Sequence, residues 1–91
     1  MSDPAYELLV AGHAARAIAE DLAEPVAVAV IEFVTVALIE NPRRVGHELR
    51  NDLAGIMSAR RGTFRILYRV DDDRREVTVL RVDHRRDVYR T

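Results

Sequence analysis

Ser58-Ala-Arg-Arg-Gly-Thr-Phe-Arg-Ile-Leu-Tyr-Arg-Val70 is the stretch whose reading decides the fold. Side chains alternate across a β-strand, so TFRILYRV places Phe64, Ile66, Tyr68 and Val70 on one face and Arg65, Leu67 and Arg69 on the other. The apolar set needs a partner layer, and the arginine face is left for solvent. Arg61-Gly62 reads as a tight turn to a preceding strand, Ile56 to Arg60. Beyond Val70, Asp71 to Arg74 forms a second turn and Glu76 to Val82 a further strand. Three consecutive strands with short turns make an antiparallel meander. EVTVLRV alternates less cleanly, as a central strand with both faces partly covered would.

The partner layer lies upstream. Tyr6 to Val10 reads as a short strand, and Gly12 to Leu22 spaces Ala11, Ala15, Ile18 and Leu22 like a modest amphipathic helix. A second helix is predicted over Pro25 to Ile39. Proline suits a first helical turn, Glu24 suits the positive helix end, and Asn41-Pro42 stops the run. This segment is apolar nearly all round, so one face should meet the sheet and the rest the first helix or another chain. Residues 41–52 are polar and loop-like. The expected class is α+β: a short N-terminal strand and two helices packed on one face of an antiparallel sheet, in one domain spanning residues 1–91.

Composition narrows the function. With 91 residues and no cysteine, the chain can bury roughly 60–65 % of its unfolded surface. It has no thiol nucleophile and no cysteine zinc site. No signal peptide is read at the N-terminus, and Pro25 to Ile39 is shorter than the ~20 residues of a membrane span. A cytoplasmic protein without membrane association is expected. The formal net charge of −1 hides an asymmetry. Residues 1–42 hold Arg16 against seven acids, whereas residues 43–91 hold thirteen arginines against eight acids. All fourteen Lys/Arg positions are arginine. Guanidinium groups grip phosphate through a planar fork but rarely release a proton. The basic half is suited to holding a polyanion and ill suited to serving as a base.

The four glycines form neither a P-loop nor a dinucleotide fingerprint, and His13, His47 and His84 lack zinc-ligand spacing. Two segments retain chemical interest. One is the hairpin, with Arg60 and Arg61 at its turn and Arg65 and Arg69 on one strand face, along which every two residues span ~6.6 Å. Such spacing is close to that of phosphates along extended RNA, although a solvated sheet face carries arginines too. The other is His84-Arg-Arg-Asp-Val-Tyr-Arg90, which combines an imidazole, three guanidiniums and a phenol. Histidine moves protons near neutral pH, arginine stabilises a phosphorane, and tyrosine stacks on bases. A polar tail with one anchoring tyrosine would read similarly.

Taken together, Arg-Arg-Gly-x-Phe-Arg-Ile-Leu-Tyr68, the Asp-rich turn and His84-Arg-Arg-Asp-Val-Tyr-Arg90 resemble the RelE branch of the RelE/ParE toxin superfamily. The likeness extends through Asn41-Pro42 and Val45-Gly-His-Glu-Leu-Arg50 and covers nearly the whole chain. It implies a RelE-like, microbial RNase-like fold and the toxin of a type II toxin–antitoxin system. RelE-type members inhibit translation and arrest growth by cutting mRNA in the ribosomal A site. The RNA's own 2′-hydroxyl attacks, without a metal or other cofactor. The resemblance assigns Arg65 to the scissile phosphate, Arg85 to the transition state or leaving group, and Tyr89 to stacking or orienting the substrate. Arg60, Arg61, Arg69, Arg86 and Ser58 would hold RNA.

One departure bears on chemistry. Some members carry two lysines before the Arg-Gly turn, one of them credited as general base. The corresponding positions here are about Ile56 and Ser58. Either His84 takes over proton transfer, or positioning and charge stabilisation suffice. Expected partners are a cognate antitoxin, the ribosome and its A-site mRNA, with self-association where no antitoxin covers helix 25–39. Two alternatives stay open: a ParE-like inhibitor of DNA gyrase, and an inactive homologue that only binds antitoxin.

Overall fold

The computed structural model describes residues 4–84. Strand β1 (Glu7–Val10) leads into helix α1 (Gly12–Arg16), which widens into a π-helical turn over Ala17–Asp21. Helix α2 (Glu24–Glu32) continues through a π-helical segment, Phe33–Ala37, into α3 (Leu38–Glu40). The backbone stays helical across these joints, so the long predicted helix is present, with Pro25 in its first turn. A two-residue strand β2 (His47–Glu48) and a 3₁₀ turn (Asn51–Leu53) interrupt the polar segment. Strands β3 (Met57–Arg61), β4 (Phe64–Asp71) and β5 (Glu76–His84) complete the fold.

The five strands lie in the order β1-β5-β4-β3-β2. The meander is antiparallel as expected, but β1 runs parallel to β5, which makes the sheet mixed. Parallel partners need a long crossover connection, and here the helices and the meander supply it.

One face of the sheet carries the core. Val30, Phe33, Val34 and Leu38, at helical spacing, pack with Ala14 against Met57, Ala59, Phe64, Ile66, Tyr68, Val77, Val79 and Val82. Tyr68, Leu38 and Ile66 are fully buried, and burying an apolar side chain of this size stabilises by roughly 1.5–3 kcal/mol. Val28, Ile31 and Val36 remain exposed on the long helix. None of the helices among the described residues is long and apolar enough to cross a membrane.

Polar contacts tie the 41–46 loop to this core. The Tyr68 hydroxyl donates to the Pro42 carbonyl at 2.6 Å, and burial pushes its pKa up to about 12. Gly46 lies so close that a Cβ there would overlap Tyr68 Oη and the Ser58 carbonyl. Nearby, the Asp72 carboxylate accepts from Arg43 Nη2 at 2.8 Å and from the Tyr6 hydroxyl at 2.6 Å. These hydrogen bonds, Arg43's first, hold the Asp72 carboxyl below its ordinary range.

Candidate nucleic-acid interface

The register of β3, β4 and β5 fixes what the sheet presents on the side away from the helices. Arg60 opposes Arg65, which opposes Asp83. One step along, Ser58 opposes Leu67, which opposes Arg81; beyond these, Arg69 opposes Thr78. Directly opposed residues share a face. Arg60, Arg65, Arg69 and Arg81 are all exposed, so four guanidiniums stand on one open surface.

A β-bulge in β5 decides the composition of this surface. Leu67 pairs with Arg81 and Tyr68 with Val79, which leaves Leu80 as the extra residue. A bulge reverses the inward–outward parity of everything after it. Val77 and Val79 face the helices before it, and Val82 does so after it. Asp83 is thereby delivered to the arginine face, and His84 to the helix side opposite Phe64. The uneven alternation of EVTVLRV, expected from two-sided burial, comes from this extra residue.

Asp83 is the anionic centre of the face. Its carboxylate accepts from Arg81 Nε at 2.7 Å and from Arg65 Nη2 at 3.4 Å. The Asp83 side chain is only 15 % exposed, against 44 % for Arg65 and 58 % for Arg81. Ion pairs this open are individually weak, so both arginines keep donors available to a ligand.

The sequence-derived site residues divide. Arg65 and Arg69 share the open face as expected, and Arg60, read as part of the turn, joins them from β3. Arg61 does not: it opposes Phe64, and its guanidinium lies 4.9 Å from the Phe33 ring centre on the helix side. Adjacent residues of a strand point to opposite faces, and β3 extends one residue further than the turn reading allowed. Ser58 follows the alternation of the arginine face and is only 5 % exposed there. His84 lies on the helix side, its Nε2 3.0 Å from Thr63 Oγ1. Arg85, Arg86 and Tyr89 lie outside the described residues.

Two members of the face, Arg81 and Asp83, were absent from the sequence-derived set. Their signal was weak. It consisted of two opposite charges two residues apart, whose facing depends on a bulge that local propensity does not announce. The helical layer has the opposite character, with Glu20, Asp21, Glu24, Glu32 and Glu40 all exposed. The molecule presents a basic sheet and an acidic back. Its sheet face can orient a phosphodiester and stabilise developing negative charge, but its guanidiniums cannot readily accept a proton.

Comparison with known proteins gives a consistent picture. The sequence pattern of the ParE toxin of the type II toxin–antitoxin system parDE matches residues 12–89. Toxin RelE of Mycobacterium tuberculosis is 41% identical over 88 residues, covering 97% of this chain and 90% of that protein. Toxin RelG of the same organism is 58% identical over 62 residues, covering 68% of this chain and 71% of its own length. A chain in the crystal structure of the M. tuberculosis toxin–antitoxin complex RelBE2 superposes with a TM-score of 0.87 at 45% identity, over 90% of this chain and 100% of that one. The isolated E. coli RelE toxin shares the fold, with a TM-score of 0.71 at 23% identity, covering 88% of this chain and 84% of that one.

Proposed function

This chain belongs to the RelE/ParE family of toxins from type II toxin–antitoxin systems, and from that premise we propose that it is a ribosome-dependent mRNA endoribonuclease. The observation that carries the reading is the open arginine face of the sheet, Arg60, Arg65, Arg69 and Arg81, in a chain with 41% identity to a toxin named RelE.

In the proposed reaction the 2′-oxygen of the RNA attacks the adjacent phosphorus. The new P–O2′ bond forms as the P–O5′ bond breaks, giving a 2′,3′-cyclic phosphate and a 5′-hydroxyl. The proton lost from the 2′-hydroxyl is balanced by the one gained at the 5′-oxygen. Arg65 orients the phosphate and stabilises charge that builds on its oxygens, an effect commonly worth about 10²–10³ in rate for a single donor. The parity set by the bulge separates His84 from Arg65. Positioning and charge stabilisation therefore account for catalysis better than proton transfer through His84. Arg85 and Tyr89 keep the roles the family resemblance implies. In the cytoplasm a cognate antitoxin would hold the toxin silent, with Val28, Ile31 and Val36 offering it an apolar surface.

The test is cleavage of mRNA on programmed ribosomes, with wild type and Arg65→Ala compared and the new ends analysed. Cyclic phosphate and 5′-hydroxyl ends that depend on Arg65 support the reading; intact mRNA refutes it. The family pattern matched is that of a ParE toxin, which favours gyrase inhibition as the second reading. Loss of DNA supercoiling activity on addition of the protein, with mRNA intact, would establish that alternative.

A further inference from the structure

The Asp83 carboxylate sits where an anion between two guanidiniums would sit. Arg65 and Arg81 are diagonal neighbours on β4 and β5, and Asp83 bonds to both, with Arg81 Nε at 2.7 Å and Arg65 Nη2 at 3.4 Å. All three are on the exposed sheet face, and the carboxylate is the least exposed of the three. A carboxylate and a phosphate present the same kind of acceptor oxygens to an arginine fork.

We propose that Arg65 and Arg81 form a two-arginine phosphate subsite, and that Asp83 is a built-in anion which occupies it until an RNA phosphate takes its place. The inference rests on RNA being the substrate. Arg81 becomes a second phosphate-binding residue, and Asp83 a positioning residue with two consequences. It draws the Arg81 side chain toward Arg65, so the pair is assembled before RNA arrives. It also offsets positive charge at the subsite, which lowers affinity for free single strands. Only a substrate held in place by further contacts, as on the ribosome, would displace it efficiently. The long 3.4 Å contact to Arg65 and the exposure of both arginines make exchange of the carboxylate for a phosphate geometrically simple.

The experiment measures binding of a 2′-O-methylated single-stranded RNA, which cannot be cleaved, across a range of salt concentrations. Wild type, Arg81→Gln and Asp83→Asn are compared, with thermal melting as a check on folding. Each phosphate contact to a single strand contributes about 0.7 to the slope of log K against log salt. Arg81→Gln should weaken binding severalfold and make that slope shallower by about 0.7. Asp83→Asn should tighten binding severalfold and make the slope no shallower, because the released guanidiniums become free for phosphate. A purely structural role for Asp83 would leave the affinity of Asp83→Asn unchanged or weaken it. Either of those results, or unchanged binding in Arg81→Gln, overturns the proposal. If mRNA on programmed ribosomes stays intact with wild type, the endoribonuclease reading itself fails, which is a distinguishable outcome.

Discussion

The Tyr68 hydroxyl, at the centre of β4, reaches through the core to the Pro42 carbonyl at 2.6 Å, with Gly46 pressed against it. This contact fixes where the polar 41–46 loop lies against the sheet. Tyr68→Phe should destabilise by about 1 kcal/mol, because a buried carbonyl loses its donor. Gly46→Ala should cost about 1–3 kcal/mol, because its methyl meets Tyr68 Oη and the Ser58 backbone. The two changes share a contact, so their effects in the double variant should not add. Urea unfolding of the four proteins checks this.

The same tyrosine sets an alkaline limit. Its folded pKa is raised to about 12, so its contribution is complete below the ordinary tyrosine value of about 10. It is then lost as pH rises through the folded value. Wild type should lose stability between those limits, and Tyr68→Phe should lose less.

At the acid end the relevant group is Asp72, held down first by Arg43 and then by Tyr6. A depressed folded pKa means that its contribution is present above the unfolded value and disappears as pH falls through the folded one. Thermal melting of wild type and Asp72→Asn should therefore converge as the solution is acidified below the carboxylate range. A gap that persists at low pH would show that the contact acts through packing alone.

Catalysis should distinguish the two faces of the sheet. Arg65→Ala should lower ribosome-dependent cleavage by about 10²–10³. His84→Ala should lower it by less than about tenfold, whereas loss of a general base would reduce it by about 10²–10⁴. Single-turnover rates on programmed ribosomes make the comparison.

Arg60 and Arg61, adjacent in sequence, should behave differently. Arg60→Gln should reduce the salt dependence of RNA binding by about 0.7 in slope. Arg61→Gln should leave the slope unchanged and instead lower stability by about 0.5–1 kcal/mol, through loss of its contact with Phe33.

Much of the architecture was legible because it depends on local periodicity. The alternation in TFRILYRV placed Phe64, Ile66 and Tyr68 inside and Arg65 and Arg69 outside, and Pro25 and Pro42 bracketed the long helix. The division between Arg60 and Arg61 was also written in that alternation, but the turn was read one residue early. What escaped depends on distant partners. The parallel pairing of β1 with β5 joins residues 7–10 to residues 76–79, and no local pattern encodes the direction of such a pair. Leu80 carries no glycine or other bulge signature. The parity change that brings Asp83 forward and turns His84 away becomes visible only when β4 and β5 are aligned.

The separation of an acidic helical layer from a basic sheet makes the near-zero net charge a poor guide to behaviour in solution. The molecule is better described as an electric dipole than as a weak anion. A dipole turns in the field of a polyanion before contact, presenting the sheet first and trailing the helices. It should also be retained by anion and cation exchangers alike near neutral pH, each resin holding the opposite side of the molecule.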